Sequence, residues 1–245
     1  MCSSDLIHHD RLVKTGIDGK FEELHEAAVE EAKAARKAAG HGKIAGSIGP
    51  LVASYRPDVH PPHDEAVAKY AEVARKLAPH VDFLLCETVA SVAHARSILE
   101  GAKTAGKPVW LSVTVDDEDG ARLRSGEPVA EVVGIAKEGG ADALLANCSA
   151  PEAMEAALDV IKTAGLPFGA YANGFTMITK DFLKESPTVD ALSPRRDLGP
   201  ETYANFVMGW VNQGATIVGG CCEVGPAHIT EVARRLREAG HEIEA

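Results

Sequence analysis

The stretch that decides the fold is residues 81–113, VDFLLCETVASVAHARSILEGAKTAGKPVWLSV. It contains a short apolar run at 83–86, an amphipathic segment at 92–105 and a second apolar run at 109–113. The short apolar runs predict buried strands, and the apolar residues at helical spacing between them predict a helix. A strand, a helix and a second strand in this order are typical of two parallel strands joined by a right-handed crossover.

The same alternation extends in both directions from this stretch. A helix at 21–39, with Gly40 as its stop signal, precedes six strand-helix units. The other predicted strands lie within 43–50 and at 143–146, 168–171 and 216–218, and the other predicted helices at 64–77, 129–138, 151–164, 200–212 and 226–239. Asp64 is the expected N-cap of its helix.

Short apolar strands that alternate with amphipathic helices predict an α/β protein with a parallel sheet covered by helices. The near-equal length of the units favours a TIM-type (β/α)8 barrel over a doubly wound sheet, and no Gly-x-Gly-x-x-Gly turn opens the first helix. Six units are two short of a closed barrel, and the polar residues 1–20 cannot supply two buried strands. We therefore expect a single domain over residues 1–245 that lacks the first two strands of the barrel.

Composition excludes several classes of partner. Asp and Glu number 36 against 25 Lys and Arg, for a formal net charge of -11, so nucleic acid and anionic membranes would be repelled. The chain has neither a signal-peptide pattern nor a long apolar segment, which favours a cytoplasmic location. The adjacent histidines His8 and His9 lie in a polar segment and are expected to be exposed.

Three of the five cysteines are expected to meet in space. Cys148 follows the strand at 143–146, and Cys221 and Cys222 follow the strand at 216–218. Because parallel strands deliver their carboxyl ends to one rim of a barrel, three thiolates can converge on one Zn²⁺ and leave its fourth position open. The alternatives are a buried, inert Cys148 and a strained disulfide between the neighbours Cys221 and Cys222.

An open position on a metal held by three thiolates suits a substrate thiol better than water. Zinc would lower the pKa of that thiol, whereas the negative charge of three thiolates makes the metal a weaker Lewis acid for hydrolysis. Glu87, after the strand at 83–86, is a candidate for binding a substrate ammonium group, or else a solvated residue near a helix start. Asn147 is a candidate for binding a substrate carboxylate, or else satisfies the backbone of a turn.

The long segment 174–199 follows a predicted strand. It is expected to form a lid or a donor-binding loop over the site, or else a surface excursion with a short helix around residues 181–184.

Four motifs together resemble the homocysteine-binding domain family, which includes the homocysteine S-methyltransferases, the betaine-homocysteine enzyme and the N-terminal module of cobalamin-dependent methionine synthase. The motifs are Ala45-Gly46-Ser47-Ile48-Gly49-Pro50, Cys86-Glu87-Thr88, Ala146-Asn147-Cys148 and Gly219-Gly220-Cys221-Cys222, the last followed by Gly225-Pro226-Ala227-His228-Ile229. They occur in the family's order, and the similarity spans about residues 10–240. The family's first strand, of Asp-Gly-Gly type, and its second strand, which ends in an Asn-Thr-like motif, have no counterpart here.

The resemblance implies zinc-dependent methyl transfer to the sulfur of homocysteine, which gives methionine. Cys148, Cys221 and Cys222 are implied as zinc ligands, with Glu87 near the substrate's ammonium group. The alternative function is a zinc-binding but inactive domain that serves a larger assembly. A zinc hydrolase would need histidine or carboxylate ligands at strand ends, and none is found there.

The partners expected are small molecules, namely homocysteine and a methyl donor. S-methylmethionine, S-adenosylmethionine, betaine and a corrinoid remain equal candidates for the donor. Self-association into a homo-oligomer is left open.

Overall fold

A computed structural model describes residues 4–176, 178, 183 and 192–244. Six strands form one parallel sheet in that part of the chain. They are β1 Ala45–Ile48, β2 Phe83–Val89, β3 Val109–Val113, β4 Ala143–Asn147, β5 Phe168–Tyr171 and β6 Ile217–Val218. A helix lies between each strand and the next, and a final helix follows β6. Every connection between neighbouring strands is therefore a crossover.

The helices cover the outside of the sheet. They are α1 His9–Leu12, α2 Phe21–Ala39, α3 His63–Leu77, α4 Val92–Lys103, α5 Val129–Glu138, α6 Met154–Ile161, α7 Pro200–Asn212 and α8 Pro226–Glu238. Helix α2 ends at Gly40, whose φ of +78° is readily adopted by glycine. Helix α4 begins at Ser91, whose hydroxyl accepts a hydrogen bond from the His94 amide. None of the helices in the described ranges has the length and apolar content of a membrane span.

The strands lie side by side in chain order from β1 to β6. Cys86 of β2 pairs with Leu111 of β3, which in turn pairs with Leu144 of β4. The order and direction of the strands are those of a TIM-type barrel. Among the described residues, β1 pairs only with β2 and β6 only with β5, so the barrel does not close. The predicted fold class is therefore confirmed, with six strands present.

The two faces of the sheet have different roles. Side chains at alternate positions pack outward beneath the helices, and Leu84, Leu111 and Leu144 are fully buried there. The residues between them point inward and line a cavity of about 940 Å³, among them Leu85 and Trp110. This alternation is the period of two that a strand imposes on its side chains.

Most predicted boundaries are confirmed to within a few residues, and the helix predicted at 151–164 is α6 flanked by one 3₁₀ turn on each side. The prediction that Asp64 is the N-cap of its helix is wrong. Helix α3 begins at His63, after Pro62, and no side chain caps it. A proline immediately before the helix fixes the entry of the chain and moves Asp64 into the first turn. The alternative helix around residues 181–184 lies outside the described residues, apart from position 183.

The predicted exposure of His8 is wrong, because its side chain is only 1% exposed. Nε2 of His8 donates to the Gly49 carbonyl at 3.0 Å, and its ring meets the edge of Tyr70. The N-terminal segment thus lies against the end of β1, where the Gly49 amide also donates to the Asp5 carbonyl. A polar sequence context did not predict this burial, since the histidine's partner is a backbone carbonyl 41 residues away.

Candidate metal centre

Three cysteine sulfurs meet at the carboxyl ends of β4 and β6. Sγ of Cys148 lies 3.9 Å from Sγ of Cys222, and Sγ of Cys222 lies 4.0 Å from Sγ of Cys221. All three sulfurs lie within 4.8 Å of one another. These spacings exclude a disulfide in this structure, because an S–S bond is about 2.05 Å long.

The spacing of the sulfurs fits a metal ion. Zinc binds cysteine sulfur at about 2.3 Å, and tetrahedral geometry then puts two ligand sulfurs about 3.8 Å apart. The two measured separations, 3.9 and 4.0 Å, are close to that value. A single ion at the centre of the three sulfurs would leave one coordination position facing the cavity, whose lining includes all three cysteines.

The backbone around Cys148 is held in a conformation that is rare for residues other than glycine. Cys148 has a φ of +53°, in the left-handed region. Its amide donates to the Tyr171 carbonyl at 3.2 Å, and its own carbonyl accepts from the Thr114 hydroxyl at 3.3 Å. Hydrogen bonds from two neighbouring strand ends therefore offset the strain and aim the sulfur at the other cysteines.

The Cys221–Cys222 pair is fixed by a tight turn after β6. The Cys221 amide donates to the Ala172 carbonyl at 3.0 Å, and the Cys222 carbonyl accepts from the Gly174 amide at 2.8 Å. Gly220 has no space for a side chain, because a Cβ there would overlap the side chain of Val224. The glycine before the two cysteines is thus a steric requirement of the turn.

The three thiols differ in acidity. Hydrogen bonds from Cys148 and Cys221 lower the pKa of Cys222, whereas contacts with Cys148 and Cys222 raise the pKa of Cys221 well above its usual range. Three sulfurs this close cannot all ionise unless a cation balances them. Cys222 is therefore the thiol that ionises most readily, and a bound metal would favour loss of the protons of the other two.

A tyrosine that the sequence analysis missed ties the ends of β5 and β6 together. Tyr203 of α7 is fully buried, and its hydroxyl donates to the Gly219 carbonyl at 2.7 Å and accepts from the Ala172 amide at 3.1 Å. The edge of its ring faces His228, whose Nε2 donates to the Leu198 carbonyl at 3.0 Å. Nothing local in the sequence marks Tyr203, since its partners are backbone groups of distant residues.

Glu87 of β2 points into the same cavity. Its carboxylate accepts hydrogen bonds from the Ser47 hydroxyl and, at 3.0 Å, from the Tyr171 hydroxyl. Burial, with a smaller contribution from the negative charge of Asp5, raises the pKa of Glu87 to about 7. The motif at 45–50 contains Ser47 but predicts no role for it, and no motif contains Tyr171; both residues line the cavity.

Asn147 is fully buried at the end of β4, and its amide is largely occupied by protein groups. Its Oδ1 accepts from the Thr88 amide at 2.9 Å and from the Ser112 hydroxyl at 2.8 Å, and its Nδ2 donates to the Thr88 hydroxyl at 3.0 Å. Thr88 has a φ of +61° and lines the cavity beside Glu87. Asn147 therefore fixes the irregular, strained part of β2 between Cys86 and Val89, which carries Thr88.

Comparisons with known proteins identify the family to which the chain is similar. The family model described as homocysteine S-methyltransferase matches residues 5–236. Homocysteine S-methyltransferase 4 of Zea mays is 28% identical over 166 residues, which cover 66% of this chain and 46% of that protein. The homocysteine S-methyltransferase of Escherichia coli (strain K12) is 28% identical over 239 residues, which cover 92% of this chain and 73% of that protein.

A solved structure shows the same fold. The metallated form of the homocysteine methyltransferase MmuM from Escherichia coli superposes with a TM-score of 0.76 at 25% identity. The superposition covers 96% of this chain and 78% of the MmuM chain. By contrast, the chain spans less than half the length of the maize relative.

Proposed function

Because the chain belongs to the homocysteine S-methyltransferase family, we propose that it transfers a methyl group to the sulfur of homocysteine and forms methionine. The observation that carries this proposal is the group of three cysteine sulfurs within 4.8 Å of one another on the wall of the cavity. Three thiolates with one coordination position open are what a metal needs in order to bind a substrate thiol.

We propose zinc as the metal, held by Cys148, Cys221 and Cys222. The all-sulfur ligand set and its near-tetrahedral spacing support this choice. Zinc bound there would lower the pKa of a coordinating thiol, so that the nucleophilic thiolate exists near neutral pH. The protein's own contribution is to position the sulfur and to surround it with apolar walls such as Leu85 and Leu145.

Glu87 is the proposed partner of the substrate's ammonium group. Its carboxylate lies in the same cavity as the cysteines and is oriented by Ser47 and Tyr171. Asn147 is proposed to assist substrate binding through Thr88, whose backbone and hydroxyl it holds at the cavity wall. These assignments fit an amino acid that extends from the metal toward the end of β2.

We propose that residues 1–245 act as one barrel domain, with β1 to β6 as the third to eighth strands of the barrel. The partners proposed are small molecules, without nucleic acid or membrane, and the location proposed is the cytoplasm. The net charge of -11 supports the exclusion of anionic polymers. The segment 174–199 follows β5 and is the proposed binding region for the methyl donor.

The proposed function is tested by metal analysis followed by a donor panel. We expect about one zinc per chain in protein purified under reducing conditions. Methionine is then measured after incubation with homocysteine and, separately, S-methylmethionine, S-adenosylmethionine, betaine or a methylated corrinoid. Freshly reduced protein that contains no zinc and binds none would contradict the proposal.

The same experiment separates the enzyme from a noncatalytic domain. If zinc is present but none of the donors yields methionine, the chain is a metal-binding unit of a larger assembly. The sheet of the described residues supports this alternative, because β1 and β6 are its two outer strands and neither pairs with the other to close a barrel.

We expect Glu87→Gln to raise the KM for homocysteine about 10- to 100-fold, because an amide cannot form the charged pair with the ammonium group. In the wild type, Glu87 with a pKa of about 7 is mostly neutral at pH 6 and mostly ionised at pH 8. Raising the pH across this range should therefore lower the wild-type KM, and Glu87→Gln should lose this part of the pH dependence. Initial rates at a series of pH values provide the measurement.

A matched substrate serves as the control for Glu87. A thiol acid of homocysteine's length that lacks the amino group should bind the wild type and Glu87→Gln equally well. If the substitution weakens both compounds to the same degree, Glu87 does not bind the ammonium group.

A further inference from the structure

The side chain of Tyr171 crosses the cavity from β5 to β2. Strands β3 and β4 lie between these two in the sheet, and yet the Tyr171 hydroxyl donates to Oε2 of Glu87 at 3.0 Å. A contact between such distant strands forms because both side chains point into the cavity, which both of them line. Tyr171 therefore connects two opposite walls of the site.

The backbone at Tyr171 holds both halves of the metal centre. The Tyr171 carbonyl accepts from the Cys148 amide at 3.2 Å, and the next carbonyl, that of Ala172, accepts from the Cys221 amide at 3.0 Å. Strand β5 pairs with β4 on one side and with β6 on the other, which fixes its position relative to the cysteines. Tyr171 thus has its backbone bonded to the metal centre and its hydroxyl bonded to Glu87.

The carboxylate of Glu87 is held on its other oxygen as well. The Ser47 hydroxyl of β1 donates to Oε1 of Glu87. Because a carboxylate oxygen can accept more than one hydrogen bond, both oxygens keep the capacity to bind an ammonium group. The two hydroxyl donors therefore fix the position of the carboxylate without occupying all of its acceptor sites.

We propose that Tyr171 is a specificity-determining residue that selects the thiol substrate by the length of its chain. The backbone of Tyr171 fixes the sulfur end of the substrate through Cys148, and its hydroxyl fixes the ammonium end through Glu87. The inference rests on the proposed function, in which the substrate's sulfur lies at the cysteines and its ammonium group at Glu87. It deepens that function by naming the residue that sets the span between the two ends.

A fixed span discriminates between amino thiols that differ by one methylene group. A tyrosine side chain has only two rotatable bonds before its rigid ring, so little freedom remains once the hydroxyl is bonded. A substrate that is one methylene group too short must give up either the metal or the carboxylate, and a longer one must bend its chain to reach both. One methylene group is worth about 10- to 200-fold in the selectivity of enzyme pockets.

The test compares three amino thiols, namely cysteine, homocysteine and the homologue of homocysteine with one more methylene group. Their dissociation constants for the zinc-loaded protein are measured by calorimetry at pH 8, where Glu87 is mostly ionised. We expect the wild type to prefer homocysteine over each of the other two by about 10-fold or more. Zinc content is measured after each titration, so that removal of the metal by the thiol is detected.

Tyr171→Phe is expected to lower this preference about 5- to 10-fold, the effect of one lost hydrogen bond to a charged group. The carboxylate then keeps only the Ser47 hydroxyl and can move toward a shorter or longer substrate. Ser47→Ala removes the donor from the other oxygen and should lower the preference in the same direction. The preference is a ratio of constants measured on one protein sample, so a partial loss of folded protein does not change it.

Two controls separate this role from a general effect on the cavity. Thiol acids of the same three lengths that lack the amino group make no pair with Glu87, so their relative affinities should be equal in the wild type and Tyr171→Phe. Tyr70→Phe also removes a buried hydroxyl, which accepts from the Leu51 amide at 3.3 Å, but Tyr70 is not among the residues that line the cavity. This variant should keep the wild-type preference.

An unchanged preference in Tyr171→Phe would overturn the inference, as would an equal fall in Tyr70→Phe or a change in the relative affinities of the thiol acids. A wild type that binds all three amino thiols equally well would overturn the inference and leave the proposed function standing. A wild type that binds zinc but none of the amino thiols would instead overturn the proposed function, and this inference with it.

Discussion

Cys148→Ser is expected to remove bound zinc and abolish methyl transfer. A serine hydroxyl stays protonated near neutral pH and is a poor zinc ligand, so only the two sulfurs of Cys221 and Cys222 remain. The loss in zinc affinity should exceed the roughly 10- to 100-fold that follows removal of a group outside the ligand shell. Zinc content after dialysis, and methionine formed with the best donor, measure the two effects.

Cys86→Ala provides the control for Cys148→Ser. Cys86 is fully buried on the outward face of β2, where its sulfur lies 4.0 Å from the Ile98 carbonyl of α4, and it is not part of the three-cysteine group. Its replacement should cost about 1 kcal/mol of stability while zinc stays bound. A Cys148→Ser protein that retains zinc at the wild-type level would show that Cys148 is not a ligand.

Gly169→Ala is expected to destabilise the fold by about 3 kcal/mol or more, a large value for one added methyl group. A Cβ at Gly169 of β5 would overlap the carbonyl oxygen of Ile217, its partner in β6. Backbone cannot rotate away as a side chain can, so β6 must move. Because β6 leads directly to Cys221 and Cys222, the metal site should be lost as well.

Unfolding in urea and zinc content together test the effect of Gly169→Ala. The matched control is Gly134→Ala in the exposed middle of α5, where a Cβ would meet no atom within 4 Å. That change should raise stability by up to about 1 kcal/mol, because alanine is the better helix former. Similar stabilities for the two variants would mean that β5 and β6 are not packed as closely as described.

The fold could be predicted from the sequence because strands and helices depend on the pattern of neighbouring residues. The period of apolar residues located every strand and nearly every helix boundary, as in β3 and α5, where the observed bounds equal the predicted ones. The capping error at Asp64 has a local cause too, since the preceding Pro62 determined where α3 begins. An expectation built on spacing alone fails where two local signals compete.

The candidate site could be predicted from the sequence only in part. The convergence of Cys148 with Cys221 and Cys222 could be predicted, because parallel strands deliver their ends to one rim whatever the details of packing. The neighbours of these cysteines could not be predicted in the same way. Asn147 stands beside Cys148 in the sequence, yet its amide holds Thr88 and Ser112.

The sequence by itself determined the class of fold and the three cysteines that can share a metal, because both depend on periodicity and on the order of strands. Only the tertiary structure decided which groups surround those sulfurs. The Thr114 hydroxyl reaches the Cys148 carbonyl from 34 residues away, and the Tyr203 hydroxyl of α7 holds the backbone at Ala172 and Gly219. Such contacts arise from the packing of one loop against another, and packing has no period that a sequence can display.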